Sequence, residues 1–290
     1  MRVQLLPLSK GLVLLLSFLF ILSCTKEETI LVPDNDPPNI NNVPTIKIEN
    51  FVNRAFIDLI GREPLDEEME REVQLLRDSQ LTKSSRMALV EKLQSSTEQI
   101  TGDTSYVRAY SRQIYNLAKI RCVEGFSDEQ LIGEFGGNPL NDSLIQLVVQ
   151  SRTDFEAGTI TINELFARMV FNPAYDQINM NTFNFVNATF DNLFWRFPTD
   201  AEFDAGFQMV EHGEQANLFG QSGQNKSAYV QILTESREMY EGLIIWVYQQ
   251  LLARRPTTEE TTAILNEFIE TKDFKKIQQV VIATNEYANF

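Results

Sequence analysis

Few side chains in this chain have the type and spacing to do chemistry. His212, the single histidine, lies in Glu211-His212-Gly213-Glu214. An imidazole beside two carboxylates could move a proton or hold a metal ion. No His-Glu-x-x-His helix, phosphate loop or nucleophile elbow accompanies it. A solvated histidine at a helix end is the simpler reading, and an enzyme centred on His212 stands only as an alternative. The acidic runs Asp66/Glu67/Glu68 and Glu259/Glu260 could suggest glycoside hydrolysis, which needs two carboxyls facing one bond. Both fall where a helix N-terminus wants negative charge, so no catalytic residue is assigned from them. Two cysteines, Cys24 and Cys122, are too few for a structural zinc site, and neither a metal nor another cofactor is expected.

Cys24 stands in Ile21-Leu22-Ser23-Cys24-Thr25-Lys26-Glu27-Glu28, and this stretch organises the reading of the chain. Arg2 and Lys10 precede an apolar run from Leu12 to Leu22, the pattern of a signal peptide. The run is shorter than the ~20 apolar residues of a comfortable membrane span. Ile-Leu-Ser-Cys resembles a bacterial lipobox, which implies cleavage after Ser23 and acylation of Cys24, with palmitate-type chains. Each buried CH₂ contributes ~0.8 kcal/mol to such an anchor. Thr25-Lys26-Glu27-Glu28 resembles the export signal of Bacteroidetes-type surface lipoproteins. That resemblance implies an outer-membrane, lipid-anchored protein at the cell surface; the alternative is the periplasmic face.

Lys and Arg number 25 against 40 Asp and Glu, a net charge of −15 that becomes −17 once Arg2 and Lys10 leave with the signal peptide. Such a chain is repelled by phosphate backbones, which argues against nucleic acid as a partner. It is equally repelled by anionic headgroups, so membrane contact falls to the lipid. With Cys24 acylated, Cys122 has no partner for a disulfide and reads as a small buried apolar residue.

Residues 24–49 read as a flexible tether. Pro33, Pro37, Pro38 and Pro44 sit among turn formers with almost nothing to bury. From Phe51 the apolar period becomes helical: Phe51, Val52, Ala55, Phe56, Leu59 and Ile60 fall on one face. Gly61-Arg62-Glu63-Pro64-Leu65-Asp66-Glu67-Glu68 then ends that helix and opens the next. The same pattern recurs twice. Phe185, Val186, Phe190, Leu193 and Phe194 lead into Arg196-Phe197-Pro198-Thr199, and Leu243, Ile244, Val247, Tyr248, Leu251 and Leu252 lead into Arg254-Arg255-Pro256-Thr257. In both, a Thr and a Glu three residues on spell a capping box. A degenerate copy surrounds Ser127 and Gln130. The expected fold is all-α, with about four tandem three-helix units stacked into a solenoid-like body. Its divisions are a signal peptide at 1–23, the tether at 24–49, repeats one and two at 50–178 and repeats three and four at 179–290. No window alternates with period two, so little or no sheet is expected. The unit resembles helical modules of bacterial surface proteins that carry Leu-x-Gly-Arg-x-Pro-Thr-x-x-Glu, a resemblance that implies a fold and no chemistry. Arg62, Arg196 and Arg254 each precede the box carboxylate by six residues and are expected to tie two helices together.

Candidate binding residues come from departures within this pattern. Trp195 aligns with Gly61 and Ala253, which makes it the candidate exposed aromatic for a partner or a sugar ring. The other aromatics around it, Phe183 to Phe207, mostly follow core spacing. The loops 133–139 and 217–226 are glycine-rich and placed at one end of the stack. Phe219, Gln221 and Asn225 are the candidates in the second. Asp142-Ser143-Leu144 resembles an O-glycosylation site of this lipoprotein class, which makes Ser143 the candidate acceptor. These readings converge on a non-enzymatic surface lipoprotein. It would serve as an interaction subunit of an outer-membrane β-barrel complex with other lipoproteins, in assembly, secretion or uptake. The alternative is a glycan- or nutrient-binding surface lipoprotein.

Overall fold

A computed structural model describes residues 43–290. Cys24, the signal peptide and most of the tether lie outside the described residues. The body is all-α, with fifteen helices and one short hairpin among the described residues. No described helix is long and apolar enough to cross a membrane.

Helix α1, Thr45–Ile60, starts right after Pro44 and ends at Gly61, whose φ of 77° provides the left-handed cap that glycine adopts without penalty. Its expected apolar face, Phe51 through Ile60, is buried. Helices α2 (Asp66–Asp78) and α3 (Lys83–Ser95) complete the first unit. The second runs through α4 (Tyr106–Val123), α5 (Asp128–Phe135), α6 (Pro139–Glu156), α7 (Ile162–Val170) and α8 (Pro173–Asn179). The third has α9 (Thr182–Phe194), α10 (Asp200–Phe207), a π-helical turn (Gln208–His212), strands β1 (Ala216–Leu218) and β2 (Gln221–Gly223), and α11 (Lys226–Glu235). The fourth has α12 (Arg237–Leu252), α13 (Thr258–Thr271), α14 (Phe274–Ile282) and α15 (Asn285–Ala288).

The recurrence read in the sequence has a backbone counterpart. Helices α1, α4, α9 and α12 all end on a left-handed residue, Gly61, Glu124, Trp195 and Ala253. A capped helix start follows at Leu65, Ser127, Thr199 and Thr257. Full capping boxes form at Ser127/Gln130, Thr199/Glu202 and Thr257/Glu260. A further box, Thr161/Glu164, opens α7. At the first copy Leu65 has no oxygen to offer, so only the return arm is made, Leu65 N–H to Glu68 Oε2 at 2.7 Å.

The units do not form an open stack. In a solenoid each repeat touches only its neighbours. Here α14 of the last unit packs on α3 of the first, and α15 packs on α1. Arg54 of α1 donates to the Leu251 carbonyl of α12, and the Gln94 side-chain amide donates to Gln278 Oε1 at 3.0 Å across the same seam. The chain closes on itself. One core runs through all four units, from Ile48 to Ala288.

Candidate interaction surfaces

The repeated arginines lie one residue beyond the left-handed cap rather than in the last helical turn, and their charge is spent inside the fold. Arg196 holds Glu202 through two hydrogen bonds of 2.8 and 2.7 Å and also reaches Glu238. Arg254 holds Glu260 in the same way and reaches Glu286 at 2.6 Å. Glu238 and Glu286 each sit two residues past a cap, Ser236 and Thr284. One guanidinium therefore joins the start of a unit's second helix to the element after its third. Arg62 pairs with Glu68 at 2.8 Å and with Asp103 at 3.4 Å. The Arg196 pairing holds the Glu202 carboxyl down at about 2. The degenerate unit substitutes Lys119, 2.8 Å from Asp128, which also accepts from the Tyr115 hydroxyl at 2.6 Å.

Trp195 is not the exposed aromatic its alignment suggested. It is the left-handed cap of α9, half-buried, and the Arg121 guanidinium lies 4.3 Å from its ring centroid. Its carbonyl accepts from Arg255 at 2.7 Å. Phe219 also turns inward. The segment 216–223 is a β-hairpin in which Phe219 and Gly220, at φ 51° and 76°, form the turn. The Phe219 ring packs edge-on to Phe194 at 5.7 Å. Two adjacent positive φ values match the twist of a two-residue hairpin, a signal carried by the Phe-Gly pair inside a polar loop. Gln221 is exposed on β2. Asn225 is the N-cap of α11, with its side chain accepting from the Ala228 N–H at 2.9 Å. Ser143 is exposed in α6, and its hydroxyl donates to the Pro139 carbonyl at 2.7 Å.

His212 ends the π-helical turn, exposed, with its ring 5.6 Å from Phe207. The Glu211 carboxylate accepts from the Thr182 hydroxyl. No group of three or more potential metal-binding side chains exists among the described residues. Cys122 is buried, and that burial pushes its thiol up to about 12. Its surroundings are those of a core residue.

The structure adds a surface that the recurrence did not reveal. Helix α6 is apolar on two faces. Ile145 and Val148 face the core, whereas Leu140, Leu144 and Leu147 form a second stripe at helical spacing. Leu140 is 68% exposed and Leu147 40%. Leu144 and Leu147 border a groove of 440 Å³ between α6, α7 and α11, with Ala167, Phe171 and Val230 on its other walls. The groove runs on into a shallower cleft that Leu140 lines together with Gly136 and Asn225. The two glycine-rich loops therefore do meet on one surface. The signal was present in the sequence as a Leu140/Leu144/Leu147 period offset from Ile145 and Val148. The repeat pattern, whose copies carry one apolar face, does not include this stripe. No protein family, curated protein or solved structure matches the chain.

Proposed function

We propose that this chain is a non-enzymatic, lipid-anchored interaction subunit of an outer-membrane β-barrel complex, acting in assembly, secretion or uptake. Cys24 holds it to the outer membrane, and the Thr25-Lys26-Glu27-Glu28 segment directs it to the cell surface. The observation that carries this reading is the open groove along α6. Three leucines line a concave surface on a body whose repeated charges are already spent in internal pairs. Exposed apolar surface of this kind, rimmed by polar residues, suits a protein partner. Glycan capture drew its support from an exposed Trp195, and the Arg121 guanidinium over that ring removes the support.

Immunoprecipitation from membranes solubilised in a mild detergent tests the proposal. A β-barrel protein is expected to accompany the native chain and to be lost from Leu144→Arg/Leu147→Arg, a double variant with unchanged thermal unfolding. A native chain recovered without any barrel partner overturns the reading.

A further inference from the structure

Helices α9 and α10 and the turn after them carry a continuous row of rings on the surface. Phe183 meets Phe203 at 5.1 Å, Phe203 stacks on Phe207 at 5.8 Å, and Phe207 meets His212 at 5.6 Å. Phe183 is 59% exposed, Phe203 and Phe207 are half-buried, and His212 is exposed. Core spacing had assigned these phenylalanines to the interior. The interior is instead filled by Phe185, Phe190 and Phe194, one register round the same helix.

Two independent features say what would cover this row. The first is charge. Between Arg196 and Lys226 the sequence contains no lysine or arginine, but it contains Asp200, Glu202, Asp204, Glu211 and Glu214. Glu202 is consumed by Arg196; Asp200, Asp204, Glu211 and Glu214 are exposed and enter no ion pair among the described residues. The second is how the protein treats its other aromatic rings. Arg54 lies over Tyr287 and Lys226 over Phe185, each 4.1 Å from the centroid, and Arg121 lies over Trp195. Among the described residues no cation of the chain stands over Phe183, Phe203 or Phe207. A row of rings that reaches solvent and is flanked by carboxylates attracts cations twice, through the ring quadrupole and through ion pairing.

We infer that the Phe183–Phe203–Phe207–His212 row is a docking surface for a lysine- and arginine-bearing segment of a partner protein. The guanidinium or ammonium groups would lie over the rings and reach Asp204 and Glu211 at their edges. The rings are tilted by 59° at Phe183/Phe203 and by 70° at Phe207/His212, which suits successive side chains of a peptide better than the flat face of a sugar. The inference rests on the interaction-subunit reading and names a second contact for it, separate from the α6 groove.

The test is calorimetric titration of the processed chain in detergent with an octapeptide alternating arginine and glycine. Citrulline replaces every arginine in the control peptide. Phe207→Leu and Asp204→Asn are each expected to weaken arginine-peptide binding about tenfold at moderate salt. Asp66→Asn, an exposed carboxylate on α2, should leave it unchanged, and the citrulline peptide should not bind. Equal weakening by Asp66→Asn and Asp204→Asn with no effect of Phe207→Leu would reduce the binding to net charge and overturn the inference. So would failure of the arginine peptide to bind, or binding of a neutral dextran oligosaccharide that Phe207→Leu abolishes. Circular dichroism of Phe207→Leu, together with Phe183→Ser as a second ring variant, separates a lost surface from a lost fold. Failure of the interaction-subunit reading shows differently, as the absence of a barrel partner in the immunoprecipitate whatever the peptide does.

Discussion

Gly242 sits in the middle of α12, a place where glycine ordinarily weakens a helix. Replacing it with alanine sets two effects of opposite sign against each other. Helix propensity alone favours alanine by about 1 kcal/mol. The structure opposes it, because a Cβ at position 242 would stand 2.0 Å from the Leu193 carbonyl oxygen and 3.3 Å from Phe194 Cα, both backbone atoms of α9. Backbone cannot swing aside as a flexible side chain can, so bringing the 2.0 Å approach to an ordinary contact requires α9 and α12 to part by about 1.4 Å. A gap of even ~1 Å forfeits up to about half of each dispersion contact across the interface. The side chains on these two packed helices are buried, Phe190, Leu193 and Phe194 on α9 and Leu243 and Ile244 on α12. Overpacking of this kind costs up to about 3 kcal/mol. Subtracting the propensity gain leaves a net loss of about 2 kcal/mol. For a body of this size that is a fall in Tm of about 4–8 °C. Thermal unfolding followed by circular dichroism, with urea unfolding to check that the m-value is unchanged, reads it directly. An unchanged or raised Tm in Gly242→Ala would mean that the two helices do not approach this closely, and the packing of α9 against α12 would have to be redrawn.

Other positions give tests of single features. Ala253 caps α12 at φ 54° and is exposed, so Ala253→Gly should stabilise the protein by about 1 kcal/mol, read as a raised Tm. Glu202 is held down at about 2 in the folded protein, against a carboxyl near 4.5 in the unfolded chain. Its contribution is complete above pH 4.5 and drains away as pH falls toward 2, about 2 kcal/mol in all after solvent screening. Arg196→Gln should flatten that acid limb of the stability profile and lower the plateau above pH 4.5, leaving the neutral slope unchanged. Cys122, buried and pushed up to about 12, should resist a thiol reagent in a Cys24→Ser protein at neutral pH and react at once in denaturant; reaction in the native state would refute its place in the core.

The sequence disclosed what repeats and concealed what closes. Apolar period and capping residues are local, so Phe51 to Ile60, the Thr199/Glu202 and Thr257/Glu260 boxes and the Arg-to-Glu ties could be read from spacing alone. Trp195 misled because its alignment with Gly61 and Ala253 reflects a shared left-handed cap. A cap position fixes a backbone angle and leaves the side chain's neighbours to tertiary packing, here Arg121 from another unit. The groove and the ring row were hidden for a related reason. Period shows that a helix has an apolar face; it does not show how many faces find a partner. Leu144 and Phe183 have the spacing of core residues and lie where no further helix among the described residues covers them.

Closure also divides the work of the four units. The last helices are gripped from the first unit: Arg86 donates to Asn285 Oδ1 at 2.9 Å, Lys47 to the Asn289 carbonyl at 2.8 Å, and the Tyr287 hydroxyl to Asp58 at 2.7 Å. Phe51 packs edge-on against Tyr287 at 6.0 Å. This clasp is made by α1 and α3 of the first unit. Both uncovered surfaces belong to the second and third units, the groove to α6, α7 and α11 and the ring row to α9 and α10. An open stack would let thermal motion fray the terminal repeat first. In a closed body the first unit is tied to the last one, so unfolding it must break contacts from both units at once. The units that carry the groove and the ring row are thereby relieved of holding the first and last units together.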